Sequence, residues 1–234
     1  MKGLLTPLTI MLVLCFTLVS CASEKGIAIS TIPWPDNEET RYTIQGQGGN
    51  TTGSGTLTIV KEGESYILGE YWEMGEVKQI TSIKVASDDL KPTSGTQTIV
   101  TPKGEVEINT TYTGNNLKIQ IETPQGSQSP DMDVPVDAYD NDEISFLFRA
   151  IPFKQGYQAT YTNVVASTGQ KPEVIITVIG KEQVEAPAGL FHCWKLELKV
   201  AGQKQYMWYG VDSPHYWVKY DDGQNIVLLQ EIIS

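Results

Sequence analysis

The sequence predicts an all-β fold, mainly antiparallel: a large curved sheet or open β-barrel of roughly ten to twelve strands with one short helix packed on it. Three observations lead there. From Arg41 onward, apolar and polar side chains alternate at period two in runs rich in Val, Ile, Thr and aromatics. Gly-, Asn- and Pro-containing turns punctuate those runs at hairpin spacing. A single segment, residues 144–151, carries a helical period instead.

The chain begins MKGLLTPLTIMLVLCFTLVSCAS. After Lys2, residues 4–19 are apolar except for Thr and Pro, a run shorter than the roughly 20 residues a membrane-spanning helix needs. It has the form of a secretory signal. Leu18-Val19-Ser20-Cys21 resembles the bacterial lipobox. The resemblance implies a signal peptide over residues 1–20, cleavage before Cys21, and acylation of that Cys. Several acyl chains anchor a protein far better than one does. Ala22, not Asp, follows the Cys, which implies transfer to the periplasmic face of the outer membrane in a diderm. In a monoderm the same anchor implies the outer face of the plasma membrane. The alternative is an ordinary signal peptide with a Cys near its end.

Of the three Cys, Cys15 would leave with the signal and Cys21 would be lipidated, so Cys193 alone stays free and no internal disulfide can form. The formal net charge of −11 argues against nucleic acid as a partner and against adhesion to anionic headgroups. Residues 21–40, with Pro33 and Pro35, read as a flexible tether on which Trp34 is a candidate to dock. Residues 41–234 read as one β domain.

Its first meander spans residues 41–123. Leu57 and Ile59, Ile83 and Val85, then Val106, Ile108, Thr110 and Tyr112, and Leu117, Ile119 and Ile121 mark strands with one buried face. A connector and helix follow over residues 124–152. Ile144, Leu147, Phe148 and Ile151 form the stripe, Asp140 with Glu143 resembles a capping box, and Pro152 is the stop. The second meander spans residues 153–234. Its run VIITVI is apolar on both faces and reads as central. In residues 191–200 the even positions, including Trp194, Leu196 and Leu198, share one face. Cys193, Lys195, Glu197 and Lys199 share the other.

The Pro187-Ala188-Gly189-Leu190-Phe191 turn, the strand Tyr206-Met207-Trp208-Tyr209 and the run Val218-Lys219-Tyr220 resemble the bacterial domain-of-unknown-function family 3108, as does Leu90-Lys91-Pro92 in the first half. The resemblance implies fold and an envelope location; it brings no catalytic residues. The plan of sheet plus helix also resembles lipoprotein-carrier half-barrels, a likeness of architecture that does not license function.

No catalytic or metal residue is assigned. His192 and His215 are too few for a zinc site and lack HExxH or CxxC company. His192 and Cys193 are adjacent on one strand, point to opposite faces, and cannot pair as base and nucleophile. The acids Asp131, Asp133, Asp137, Asp140, Asp142 and Glu143 lack EF-hand spacing, and helix capping accounts for the last of them. No cofactor is implied.

The expected function is therefore non-catalytic. A lipid-anchored cell-envelope protein binds an apolar or amphipathic ligand, or an envelope partner, on its curved sheet. Trp194, Trp208, Tyr209 and Trp217 are the candidate ligand-binding residues, against the plainer reading of aromatic packing. The alternatives are a structural or assembly lipoprotein acting through protein–protein contacts and, third, an envelope hydrolase.

Overall fold

The computed structural model describes residues 24–233. The lipobox and Cys21 lie outside the described residues. The first half contains β1 (Glu24–Lys25), β2 (Asn37–Gly46), β3 (Thr51–Glu62), β4 (Ser65–Met74), β5 (Val77–Ala86), β6 (Pro92–Thr101), β7 (Gly104–Thr113) and β8 (Asn116–Thr123). The connector holds three short pieces, β9 (Gly126–Gln128), β10 (Asp131–Asp133) and β11 (Ala138–Asp140). A helical segment follows: a 3-10 turn Asn141–Glu143, α1 (Ile144–Leu147) and a second 3-10 turn Phe148–Ala150. The second half contains β12 (Gln158–Val164), β13 (Glu173–Ala186), β14 (Gly189–Val200), β15 (Gln203–Gly210), β16 (Trp217–Asp221) and β17 (Asn225–Ile232).

The described residues form seventeen strands, more than the ten to twelve expected. Four of the extra ones, β1, β9, β10 and β11, have only two or three residues, too short to show a period. A further strand, β6, reads PTSGTQTIVT; its hydroxyl and amide side chains hide the alternation.

Neighbouring strands of each meander pair antiparallel, and β17 pairs antiparallel with β2, so the two meanders merge into one sheet. The sheet curls until its ends nearly meet. There the connector spans the gap: β10 pairs with β8, and β11 runs parallel to β12. Ile108, Leu117, Ile119, Val134, Ala138 and Val164 pack across this seam. A barrel closed this way leaves little free strand edge.

The helical segment runs inside the curl. The capping box is present: the Asp142 N–H donates to Asp140 Oδ1 at 3.1 Å, and the Asp140 N–H donates to Glu143 Oε1 at 2.7 Å. Every side chain from Ser145 to Ile151 is buried, so the segment is enclosed on all sides and not packed by one stripe. With Tyr42, Tyr161 and Tyr209 it fills one half of the barrel interior.

Two sequence expectations are corrected here. The tether does not run to residue 40: β1 pairs with β12, Ile27, Ile29 and Ile32 pack on the core, and Trp34 is buried against Tyr66. The Ser30 N–H donates to the Ala150 carbonyl at 2.8 Å. The apolar residues of this segment outweigh its prolines, which only rule out its own strand pairing. Cys193 does not face solvent with Lys199 but is fully buried. A bulge between Val178 and Gly180 lets the far end of the β13–β14 hairpin curl over the outer face of β15–β17. There the Ala188 N–H reaches the Leu229 carbonyl.

Candidate functional site

The half of the barrel that the helical segment leaves open is a cavity of about 410 Å³. Ile44, Val174, Leu198, Met207 and Val227 supply much of its apolar wall. Its mouth lies where hairpin turns cluster: Met74 and Val77 flank the β4–β5 turn, and Asp222 and Asn225 flank the β16–β17 turn. Met74 and Val77 are 49% and 42% exposed, an apolar lip at the entrance.

β4 builds the polar end. Period two points Leu68, Glu70, Trp72 and Met74 inward; Leu68 closes the floor, and the other three line the cavity. Glu70 thus sits in a register otherwise held by apolar side chains. Ser145 Oγ donates to Glu70 Oε1 at 2.7 Å, and Trp72 Nε1 donates to Glu70 Oε2 at 2.9 Å. Burial, then the nearby charge of Asp142, pushes the Glu70 carboxyl up to about 7.

The indole of Trp72 reaches Glu70 because β3 carries Gly55 opposite it. A Cβ on Gly55 would lie 2.0 Å from Trp72 Cζ3, so the ring occupies the space a side chain would need. Trp72 stands edge-on to Trp217 at 6.2 Å, and Tyr42 lies 5.0 Å from Trp217. The buried Trp217 Nε1 has no hydrogen-bond partner among the described residues.

Among the described residues no Lys or Arg lines the cavity, and the two acids in its lining are Glu70 and Asp222. Asp222 Oδ1 accepts from the Gln224 and Asn225 N–H groups at 2.8 and 2.7 Å, which fixes it in the β16–β17 turn. Arg149 is buried elsewhere, paired with Glu38.

Beside the cavity lies a cluster of carboxyls on the 3-10 turn. Asp140 and Glu143 are 2% and 0% exposed. Tyr112 donates to Asp140 Oδ2 at 2.5 Å, and Gln97 donates to Asp142 Oδ2 at 2.7 Å. Burial, then the charge of Asp142, raises Asp140 to about 7, and burial raises Glu143 well above the carboxylate range. Among the described residues no group of three such side chains is placed to hold a metal ion.

The aromatic candidates separate. Trp217 lines the cavity. Tyr209 faces inward but is enclosed, its hydroxyl donating to the Ser145 carbonyl at 3.2 Å. Trp194 stacks on Phe153 at 6.1 Å, away from the cavity lining. Trp208 points to the outer face, between Lys195 and Lys219, and donates to Glu182. His215 packs on Phe153 and His192 is exposed. Sequence reasoning points to Trp72 only as one of several aromatics able to line a groove, and it passes over Glu70 and Ser145. The available signal was Glu70 itself, a carboxylate at an inward position between Leu68 and Trp72.

Residues 41–234 match the family model described as Protein of unknown function (DUF3108). No curated protein matches the chain. Among solved structures, the chain is similar to the beta-barrel-like protein of domain of unknown function DUF1849 from Brucella abortus. That likeness has a TM-score of 0.56 at 11% identity and covers 88% of this chain and 98% of that one. At such identity it concerns the fold alone. A candidate exported protein with a YmcC-like fold from Bacteroides fragilis matches at TM-score 0.34 and 12% identity, over 88% of this chain and 100% of that one. A candidate lipoprotein from Parabacteroides distasonis matches at TM-score 0.36 and 10% identity, over 88% and 99%. Neither of these two scores supports an argument about this chain.

Proposed function

The chain belongs to the DUF3108 family, and from that premise we propose that it is a non-catalytic, lipid-anchored cell-envelope protein that holds an apolar or amphipathic ligand inside its barrel. The observation that carries the reading is the cavity: about 410 Å³, walled mostly by apolar side chains, with Glu70 and Ser145 in its interior and Asp222 and Asn225 at its mouth. That size and lining suit a small-molecule site. Burial of the ligand's apolar surface supplies the affinity, at about 25 cal/mol per Å² before the losses of association. The anchor rests on Cys21, and the membrane is then a partner through that lipid. A docking role for another protein is the second reading, favoured by the exposed Met74, Val77 and Ile80 on the β4–β5 hairpin.

Native mass spectrometry of protein extracted gently from its own membrane tests the ligand. A retained small amphiphile supports the reading; a protein partner in its place supports the second. A ligand-free protein that also binds no apolar probe refutes it. Cys21→Ser tests the anchor, with loss of palmitate labelling and release from the membrane fraction expected. Unchanged labelling and fractionation would sink that part.

A further inference from the structure

The charge pattern inside the cavity says more than its size. Glu70 lies four residues along β4 from the rim residue Met74, about 13 Å at the usual rise of a strand. Trp72 stands between them and the buried Leu68 lies beyond. The carboxyl is therefore at the deep end, and an amphiphile reaching it enters head-first with its tail along the apolar wall.

We propose that the cavity selects its occupant by head-group charge, taking a long-chain primary amine as its ammonium form, with the head on Glu70, and rejecting the matching carboxylate. The proposal rests on the cavity reading above and deepens it. Each Glu70 oxygen accepts one hydrogen bond, from Ser145 and from Trp72, so the carboxyl is held in place with acceptor capacity left on both oxygens. An ammonium brings three donors and makes charge-assisted bonds, roughly twice as strong as neutral ones.

A carboxylate head finds the reverse. Among the described residues no cation lines the cavity, Glu70 and Asp222 are both acids, and Asp142 adds negative charge behind Glu70. The Arg149 guanidinium is committed to Glu38 and to the Pro214 carbonyl. Among the fully buried side-chain atoms of the described lining, the donor left without a partner is the neutral Trp217 Nε1–H. It would serve an acceptor along the ligand but cannot offset like charges in a water-poor site. The excess of acids over the whole chain, net −11, draws cations toward the mouth.

The test is calorimetric titration of the purified protein with dodecylamine, dodecanol and laurate at about pH 8, where Glu70 is charged and the amine protonated. Dodecylamine is expected to bind at least about tenfold more tightly than laurate, with dodecanol between them. Glu70→Gln is expected to lower dodecylamine affinity by about tenfold and leave dodecanol unchanged. Glu231→Gln, which removes an exposed charge beside Arg41, is expected to leave the preference intact. Laurate binding as tightly as dodecylamine to the wild-type protein overturns the inference, and that comparison needs no variant to fold. So does a preference that survives Glu70→Gln or vanishes with Glu231→Gln. Failure of all three probes to bind refutes the cavity reading itself, a different result from loss of selectivity.

Discussion

Removing Arg149 should cost more than removing any other single charge in the chain. Its Nη1 and Nη2 donate to Glu38 Oε1 and Oε2 at 2.6 and 2.9 Å, and its Nε and Nη2 donate to the Pro214 carbonyl at 3.1 and 2.9 Å. The guanidinium lies 5.3 Å from the Trp34 ring and 5.5 Å from that of Tyr216. The two charged side chains are 4% and 2% exposed. One cation thus ties the end of the helical segment to β2, to the loop before β16 and to the N-terminal strap. Arg149→Ala leaves the Glu38 carboxylate buried without a partner, at a cost of about 3–5 kcal/mol. In a domain of this size that lowers Tm by roughly 6–20 °C, taking about 2–4 °C per kcal/mol. Arg149→Lys should fall between, because an ammonium cannot hold both oxygens and the carbonyl in one fork. The paired variant Arg149→Met with Glu38→Leu removes the stranded charge. It should recover most of the loss, short of about 1–3 kcal/mol for the donors taken from the Pro214 carbonyl. Urea unfolding followed by tryptophan fluorescence measures these proteins, and the single variants Arg149→Met and Glu38→Leu close a double-mutant cycle with the pair. The reasoning fails if Arg149→Ala costs less than about 0.5 kcal/mol, the ordinary range for a surface change. It fails equally if the paired variant loses as much as the two single losses added together.

The buried acids predict an unusual pH dependence. Glu70 and Asp140 both titrate at about 7 when folded, above their ordinary values of 4.5 and 3.8, so the native state binds more protons than the unfolded one between those limits. Stability should then fall as pH rises from about 5 to about 8, by an order of a few kcal/mol. Asp140→Asn, which keeps an N-capping side chain, should flatten that slope; a urea midpoint as high at the alkaline end as at the acid end would contradict the assignment. Gly55→Ala should push the Trp72 ring off β3, cost about 1–3 kcal/mol and weaken ligand retention; an unshifted tryptophan spectrum with full binding would show the ring does not depend on that gap. Cys193 is fully buried, and burial with the charge of Glu182 pushes its thiol up to about 12. A Cys21→Ser protein lacking the signal should therefore ignore thiol reagents until unfolded, and rapid native labelling would place Cys193 elsewhere.

Much of the fold is legible in the chain because its signals are local. Alternation at Leu57 and Ile59, or at Leu117 and Ile119, assigns a strand and its inner face from adjacent residues alone. The capping box of Asp140 and Glu143 needs a span of three residues, and it is present where the pattern put it. Family resemblance at the Pro-Ala-Gly turn and the aromatic strands is likewise local, and the family model matches from residue 41 onward. Where local signals were weak, the reading fell short. β6 lacks an apolar period, and residues 26–36 looked like a leash because their prolines are visible and their docking surface is not.

The site belongs to the other category. Glu70 meets Ser145 across 75 residues of sequence, and Arg149 meets Glu38 across 111. No spacing rule links such pairs, because the curl of the sheet and the position of the enclosed helical segment bring them together. Sequence alone fixes that the chain is a one-sided β-sheet protein with a lipobox-like start. Only the closed tertiary structure decides that the helical segment fills half of the barrel and leaves the other half hollow. It also decides that Trp217 faces this space while Trp208 does not. Side-chain period determines which face a residue takes, whereas an unfilled volume depends on every element around it at once.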